Sequence, residues 1–112
     1  MATIKSYTDL SQSKTLSKIL PLESADMLWE QHGAEPYVTI KPWTTIGKSI
    51  GCHCLSCWSL AALLGVLPSA TLDSSNDHYY RLHCMERFTE WYDNPVDACV
   101  AMIIKINELN LL

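Results

Sequence analysis

The C-terminal stretch that begins at Asp93 carries the strongest folding instruction in this chain. Asp93 or Asn94 supplies a helix N-cap, and Pro95 takes the first helical position, where a missing N–H costs nothing. Asp97 adds negative charge where the helix dipole favours it. Val96, Cys99, Val100, Ile103, Ile106 and Asn110 then recur on one face, with Met102 and Leu109 beside it. A helix with so apolar a face needs other elements to cover it, so the rest of the chain is read for what could do so.

Two runs read as strands joined by Glu86-Arg87: Tyr79 to Met85, and Phe88 to Tyr92. Strict alternation sets Tyr80, Leu82 and Cys84 against Tyr79, Arg81 and His83 in the first. In the second it sets Phe88, Glu90 and Tyr92 against Thr89 and Trp91. Glu35 to Pro42 reads as a further strand, held to a sheet edge by Pro36 and Pro42. Thr44 to Ile50, interrupted by Gly47, reads as a hairpin arm, and Asp73 to Asp77 as a turn-rich loop. Between them lies a central helix. Ser59 caps it, Leu60, Leu63, Leu64 and Leu67 keep helical spacing, Trp58 staples onto Leu63, and Pro68 stops it.

Upstream, Leu10, Leu16, Ile19 and Leu20 form a weak helical stripe that ends at Pro21. Leu22 to Trp29 then reads as a second short helical turn capped by Ser24. Residues 1–15 are polar and expected to be partly mobile, leaving 16–112 as the domain. The expected fold is α+β: one small antiparallel sheet of three to four strands, packed by a central short helix and a C-terminal amphipathic helix.

Composition narrows the function classes. Nearly half of the residues are apolar, enough for one core. The longest nearly unbroken apolar run, Trp58 to Leu67, is shorter than the roughly 20 residues a bilayer needs, so no membrane association is expected. The first residues lack the apolar core of a signal peptide, which points to the cytoplasm. Eight basic residues face twelve acidic ones without a Lys/Arg cluster, which disfavours nucleic acid. Five cysteines is an odd number and, in a reducing compartment, reads as free thiols, with Cys99 as a core hydrophobe.

The run Cys57-Trp58-Ser59-Leu60-Ala61-Ala62-Leu63-Leu64-Gly65-Val66-Leu67-Pro68 resembles the central WSL-x-ALL-x-x-LP signature of a group of small uncharacterised proteins. They are encoded in Bacteroidales genomes, often in prophages and other mobile elements. Leu22 to Met27, Tyr79-Tyr80-Arg81-Leu82, and the ending from Asn94-Pro95-Val96-Asp97-Ala98-Cys99 to Leu112 resemble that group in the same order. This chain is shorter between its last strands and the terminal helix, as though one further strand were missing. The resemblance implies a mobile-element accessory protein and supplies no catalytic residue or ligand.

The one dense set of potential metal ligands is Cys52-His53-Cys54-Leu55-Ser56-Cys57. Cys54-x-x-Cys57 has zinc-knuckle spacing, but a complete site needs further ligands. His83 and Cys84 are neighbours on an expected strand, so only one of them could join. Cys52, Cys54, Cys57 and His83 form the candidate zinc set, against a plainer reading as thiols in an extended segment. A redox dithiol would need Cys54 or Cys57 at a helix N-terminus, whereas Ser59 takes the cap. A nucleophile pair of Cys57 or Cys84 with His53, His78 or His83 lacks an orienting third group. Glu86, Glu90 and Asp93 read as a charged hairpin face, and four glycines are too few for a phosphate loop.

Aromatic side chains remain. Trp58 and Trp91 are expected in the core, while Tyr37, Trp43, Tyr79 and Tyr92 are candidates for a surface patch. The expectation is therefore a non-enzymatic protein without cofactor that contacts another protein, or itself, through an aromatic sheet face with an acidic rim. A small zinc protein is the rival, and a thiol-dependent enzyme or redox protein comes third.

Overall fold

The computed structural model of the chain describes residues 5–31, 37–40 and 53–112. In order, these form α1 (Leu10–Ser17), a 3-10 turn (Leu22–Ser24), β1 (Met27–Gln31), β2 (Tyr37–Ile40) and β3 (His53–Cys57). Next come α2 (Leu60–Val66), β4 (Thr71–Ser74), β5 (Tyr80–Cys84), β6 (Arg87–Phe88) and α3 (Pro95–Glu108). The fold is α+β, with α3 laid on a sheet. The strands divide into two three-stranded antiparallel sheets, ordered β2-β1-β3 and β4-β5-β6, where one sheet was expected.

Two misread segments account for the second sheet. Leu22 to Trp29 contains good helix formers, yet only the 3-10 turn is helical, because a segment this short has no propensity to spare. Ala25 turns extended, the Asp26 carboxylate accepts from the Ser59 backbone N–H and hydroxyl, and β1 pairs along both edges as the central strand. Ser24 caps nothing; its hydroxyl donates to the Pro21 carbonyl and accepts from Trp58 Nε1 at 2.9 Å. Thr71 to Ser74, hidden beside a polar run, pairs with β5. The turn shrinks to residues 75–79, where Ser75 Oγ accepts from the backbone of Asp77 and Tyr79. Among the described strands β2 lies at the sheet edge, where its flanking prolines are expected to hold it. The expected arm at 44–50 falls outside the described residues.

The helices follow their caps. Ser59 Oγ accepts from Ala62 N, and Trp58 and Leu63 are both sealed from solvent, as a staple demands. Asn94, rather than Asp93, caps α3 by accepting from Asp97 N. At the other end Asn110 is not on the packed face. It adopts φ 59° and closes the helix: its N–H bonds Asn107 O, and that of Leu111 bonds Ile106 O. Leu109 is exposed.

One core joins Leu16, Trp58, Leu63, Leu82, Val96, Cys99, Met102, Ile103 and Ile106, all fully buried. Residues 6–8 run antiparallel to 58–60, with Thr8 N bonding Trp58 O and Leu60 N bonding Ser6 O. Asp9 and Gln12 form a reciprocal capping box that starts α1. Asp97 accepts from Lys5, Gln12 and Asn94 at 2.7–2.9 Å, fastening this N-terminal part to the start of α3.

Candidate functional site

The outward face of the second sheet is where the chemistry gathers. Directly paired residues of antiparallel strands share a face. Asp73 pairs with Arg81, Thr71 with His83, and His83 with Phe88, so these side chains stand together, opposite Leu72, Leu82 and Cys84. The His83 and Phe88 rings stack at 4.3 Å, only 10° from parallel. The Arg81 guanidinium sits 4.3 Å from the Phe88 centroid and 4.7 Å from that of Trp91. Its Nε donates to Asp73 Oδ2 at 3.4 Å. A line of contacts therefore runs His83, Phe88, Arg81, Trp91, with the cation fixed between two rings.

Trp91 reaches this face through a bulge. Three steps separate His83 from Tyr80, but four separate their partners Phe88 and Tyr92. The extra residue lies in 89–91. There Thr89 bonds Leu82 twice, accepting from its N–H through Oγ1 and donating its own N–H to the Leu82 carbonyl. Regular alternation would set Trp91 inward and Tyr92 outward; the inserted residue exchanges them. Trp91, expected in the core, is 45% exposed, whereas Tyr92 is half-buried against the core cluster.

Tyr79, Met85 and Phe88 are the other exposed large side chains of this hairpin, at 48%, 38% and 47%. Acidic groups surround them: residues 71–93 hold Asp73, Asp77, Glu86, Glu90 and Asp93 against Arg81 and Arg87. Beside the line of rings, a shallow cavity of about 300 Å³ is lined by Ser75, Asp77, Tyr79 and Trp91.

No family model, curated protein or solved structure matches this chain.

Of the four aromatics proposed for a surface, Tyr79 belongs to this face and Tyr92 lies beneath it. The side chain of Tyr37, on β2, and all of Trp43 lie outside the described residues. Sequence reasoning missed Phe88 and Trp91, which are about as exposed as Tyr79. The turn expected at Glu86-Arg87 would have set Phe88 opposite Met85; it falls instead at Met85-Glu86, which pairs Phe88 with His83. Trp91 was not legible, because alternation carries no mark of a bulge.

Of the candidate zinc ligands, Cys57 and His83 stand in different sheets. Cys57 lies at the end of β3, in the first sheet, and its sulfur meets the Thr8 hydroxyl and carbonyl at 3.6 and 3.5 Å. Burial pushes its thiol up, only partly offset by hydrogen bonds with Thr8 and Ser13. His83 lies in the second sheet against Phe88. Backbone 53–57 is strand rather than the turn a zinc knuckle uses. Cys52 and the side chain of Cys54 lie outside the described residues. Among the described residues no three His, Cys, Asp or Glu side chains converge as metal ligands. Cys84 and Cys99 are buried free thiols, Cys99 pushed up to about 12 by burial alone.

Proposed function

We propose that this chain is a non-enzymatic binding protein whose working surface is the outward face of β4-β5-β6. The observation that carries this reading is the contact line His83–Phe88–Arg81–Trp91, in which two rings stay nearly half exposed while their cation is already held in place. Exposed large rings are unfavourable to a free monomer and typical of binding hot spots, where Trp, Tyr and Arg dominate. Fixing Arg81 with Asp73 and both rings removes rotamer freedom before a partner arrives, which lowers the ordering cost of association. The acidic rim favours a basic partner surface.

The WSL-x-ALL-x-x-LP resemblance extends the proposal to an accessory role for a prophage or other mobile element, acting in the cytoplasm, where the thiols stay reduced. Among the described residues no helix is long and apolar enough to cross a membrane.

The test is site-specific photo-crosslinking in cells, with benzoylphenylalanine at position 88 and, as a control, at exposed Lys18. A discrete adduct from position 88, lost on Trp91→Ala and missing from position 18, supports the reading; sedimentation of the pure protein then tells self-association from a second partner. Equal, unspecific adducts from both positions would overturn it.

A further inference from the structure

The cavity beside the line of rings differs from the rest of this face in its chemistry. Tyr79 and Trp91 supply aromatic walls, Asp77 a carboxylate and Ser75 a hydroxyl, around about 300 Å³. Aromatic rings attract cations through their quadrupole, and a nearby carboxylate adds a directional partner. On the same face the protein already performs this recognition on itself. Arg81 lies over Phe88 and Trp91 and is neutralised by Asp73. Asp77 repeats the role of Asp73 one hairpin end further on, yet no cation among the described residues pairs with it.

The position of Asp77 is well defined by its loop. Ser75 Oγ accepts from Asp77 N at 3.3 Å and from Tyr79 N at 3.2 Å, while the Ser75 backbone bonds Tyr79 O at 2.9 Å. His78 takes φ 64°, and its N–H closes the loop onto the Ser75 carbonyl at 3.2 Å. The mutual bonds between Tyr80 and Tyr92, at 2.6 and 2.7 Å, hold the two aromatic walls on adjacent chain segments.

We infer that this cavity receives an arginine side chain presented by the partner protein, its guanidinium lying against Trp91 and Tyr79 and paired with Asp77. Arginine suits it better than lysine, because a planar guanidinium stacks on rings while keeping donors free for a carboxylate. The acidic excess of residues 71–93 adds charge complementarity to such a partner. This inference rests on the docking role proposed for the face and specifies one contact within it. A single exposed cation site is weak by itself, so it selects among partners rather than supplying the whole affinity.

The test is an NMR titration of the full chain with N-acetyl-arginine amide, against N-acetyl-citrulline amide as the neutral isostere. The Trp91 indole N–H is assigned by its loss in Trp91→Phe. The arginine probe should shift this signal and those of residues 75–79 saturably, with a Kd on the order of 10 mM. Asp77→Asn should weaken it about threefold to fivefold. Equal shifts with citrulline, an unchanged Kd in Asp77→Asn, or the largest shifts elsewhere would overturn the inference. Crosslinking from position 88 reads the face as a whole. If it succeeds and the titration fails, the docking face stands and the arginine cavity falls; the reverse leaves a cation site on a face that docks nothing.

Discussion

Replacing Thr8 with valine keeps the shape of the side chain and removes one hydroxyl, and the structure sets what that hydroxyl is worth. Thr8, Ser13 and Cys57 are fully buried. The Thr8 oxygen accepts from Trp58 N at 3.1 Å, shares a hydrogen bond with Ser13 Oγ at 2.8 Å and meets Cys57 Sγ at 3.6 Å. Among the described residues no buried side-chain nitrogen or oxygen lacks a partner, so valine would create the first. The Trp58 amide and the Ser13 hydroxyl would both be orphaned, at about 1–3 kcal/mol each. The Ser13 hydroxyl can turn toward a carbonyl of α1, so the expected loss is about 2–4 kcal/mol. Domains of this size are stable by roughly 5–15 kcal/mol, so the effect is large. Thr8→Ser keeps the oxygen and should cost only about 1 kcal/mol for the lost methyl. Urea unfolding followed by tryptophan fluorescence measures both, and Thr8→Val should lower the midpoint by about 1–2 M. Adding Ser13→Ala to Thr8→Val removes one orphan, so the double variant should be more stable than the two single losses sum to. A Thr8→Val protein within about 0.5 kcal/mol of wild type, or a serine variant as damaged as the valine one, would refute the reasoning.

The hairpin turn offers a gain instead. Met85 and Glu86 both have positive φ, 53° and 63°, in a two-residue connection that favours Asn-Gly. Met85→Asn with Glu86→Gly should stabilise by about 1 kcal/mol, or raise Tm by about 4 °C, whereas Met85→Ala with Glu86→Ala should not. Acid should act through Asp97 and Asp9. Burial raises both carboxyls, but the bonds from Lys5, Asn94 and Gln12 to Asp97, and from Gln12 and Lys5 to Asp9, hold them below their ordinary value. Their contribution is present above the unfolded carboxylate value and is lost as pH falls below about 4. Asp97→Asn should be less stable at pH 7, and its gap to wild type should narrow on acidification. Of five cysteines, Cys57, Cys84 and Cys99 are buried with raised thiols, so at most two should react quickly with a thiol reagent before denaturation.

What could be read in advance was local. The Asn94-Pro95 start of α3, the Ser59 cap with its Trp58 staple and the strand at Tyr80–Cys84 all depend on residues within a few positions of one another. The Asp9-x-x-Gln12 capping box was equally legible and went unread, as was Asn110 as a helix terminator. β1 was not legible, because Met27 to Gln31 is a strand only through partners on both sides, and one of them, β3, lies far along the chain. The same holds for Asp97, whose ion-pair partner Lys5 stands at the other end of the sequence. For the candidate face, the alternation in Arg81 and His83 was visible, but the bulge that turns Trp91 outward left no mark in residue type.

That bulge also bears on solubility. An exposed aromatic face invites aggregation chiefly when the strand beside it offers a long open ladder of N–H and C=O groups to another chain. Here the outer strand stops after Arg87–Phe88, and Thr89 spends its hydroxyl and amide on Leu82. A neighbour can therefore lie flat on the rings, but on the β6 side of the sheet it finds little edge to extend.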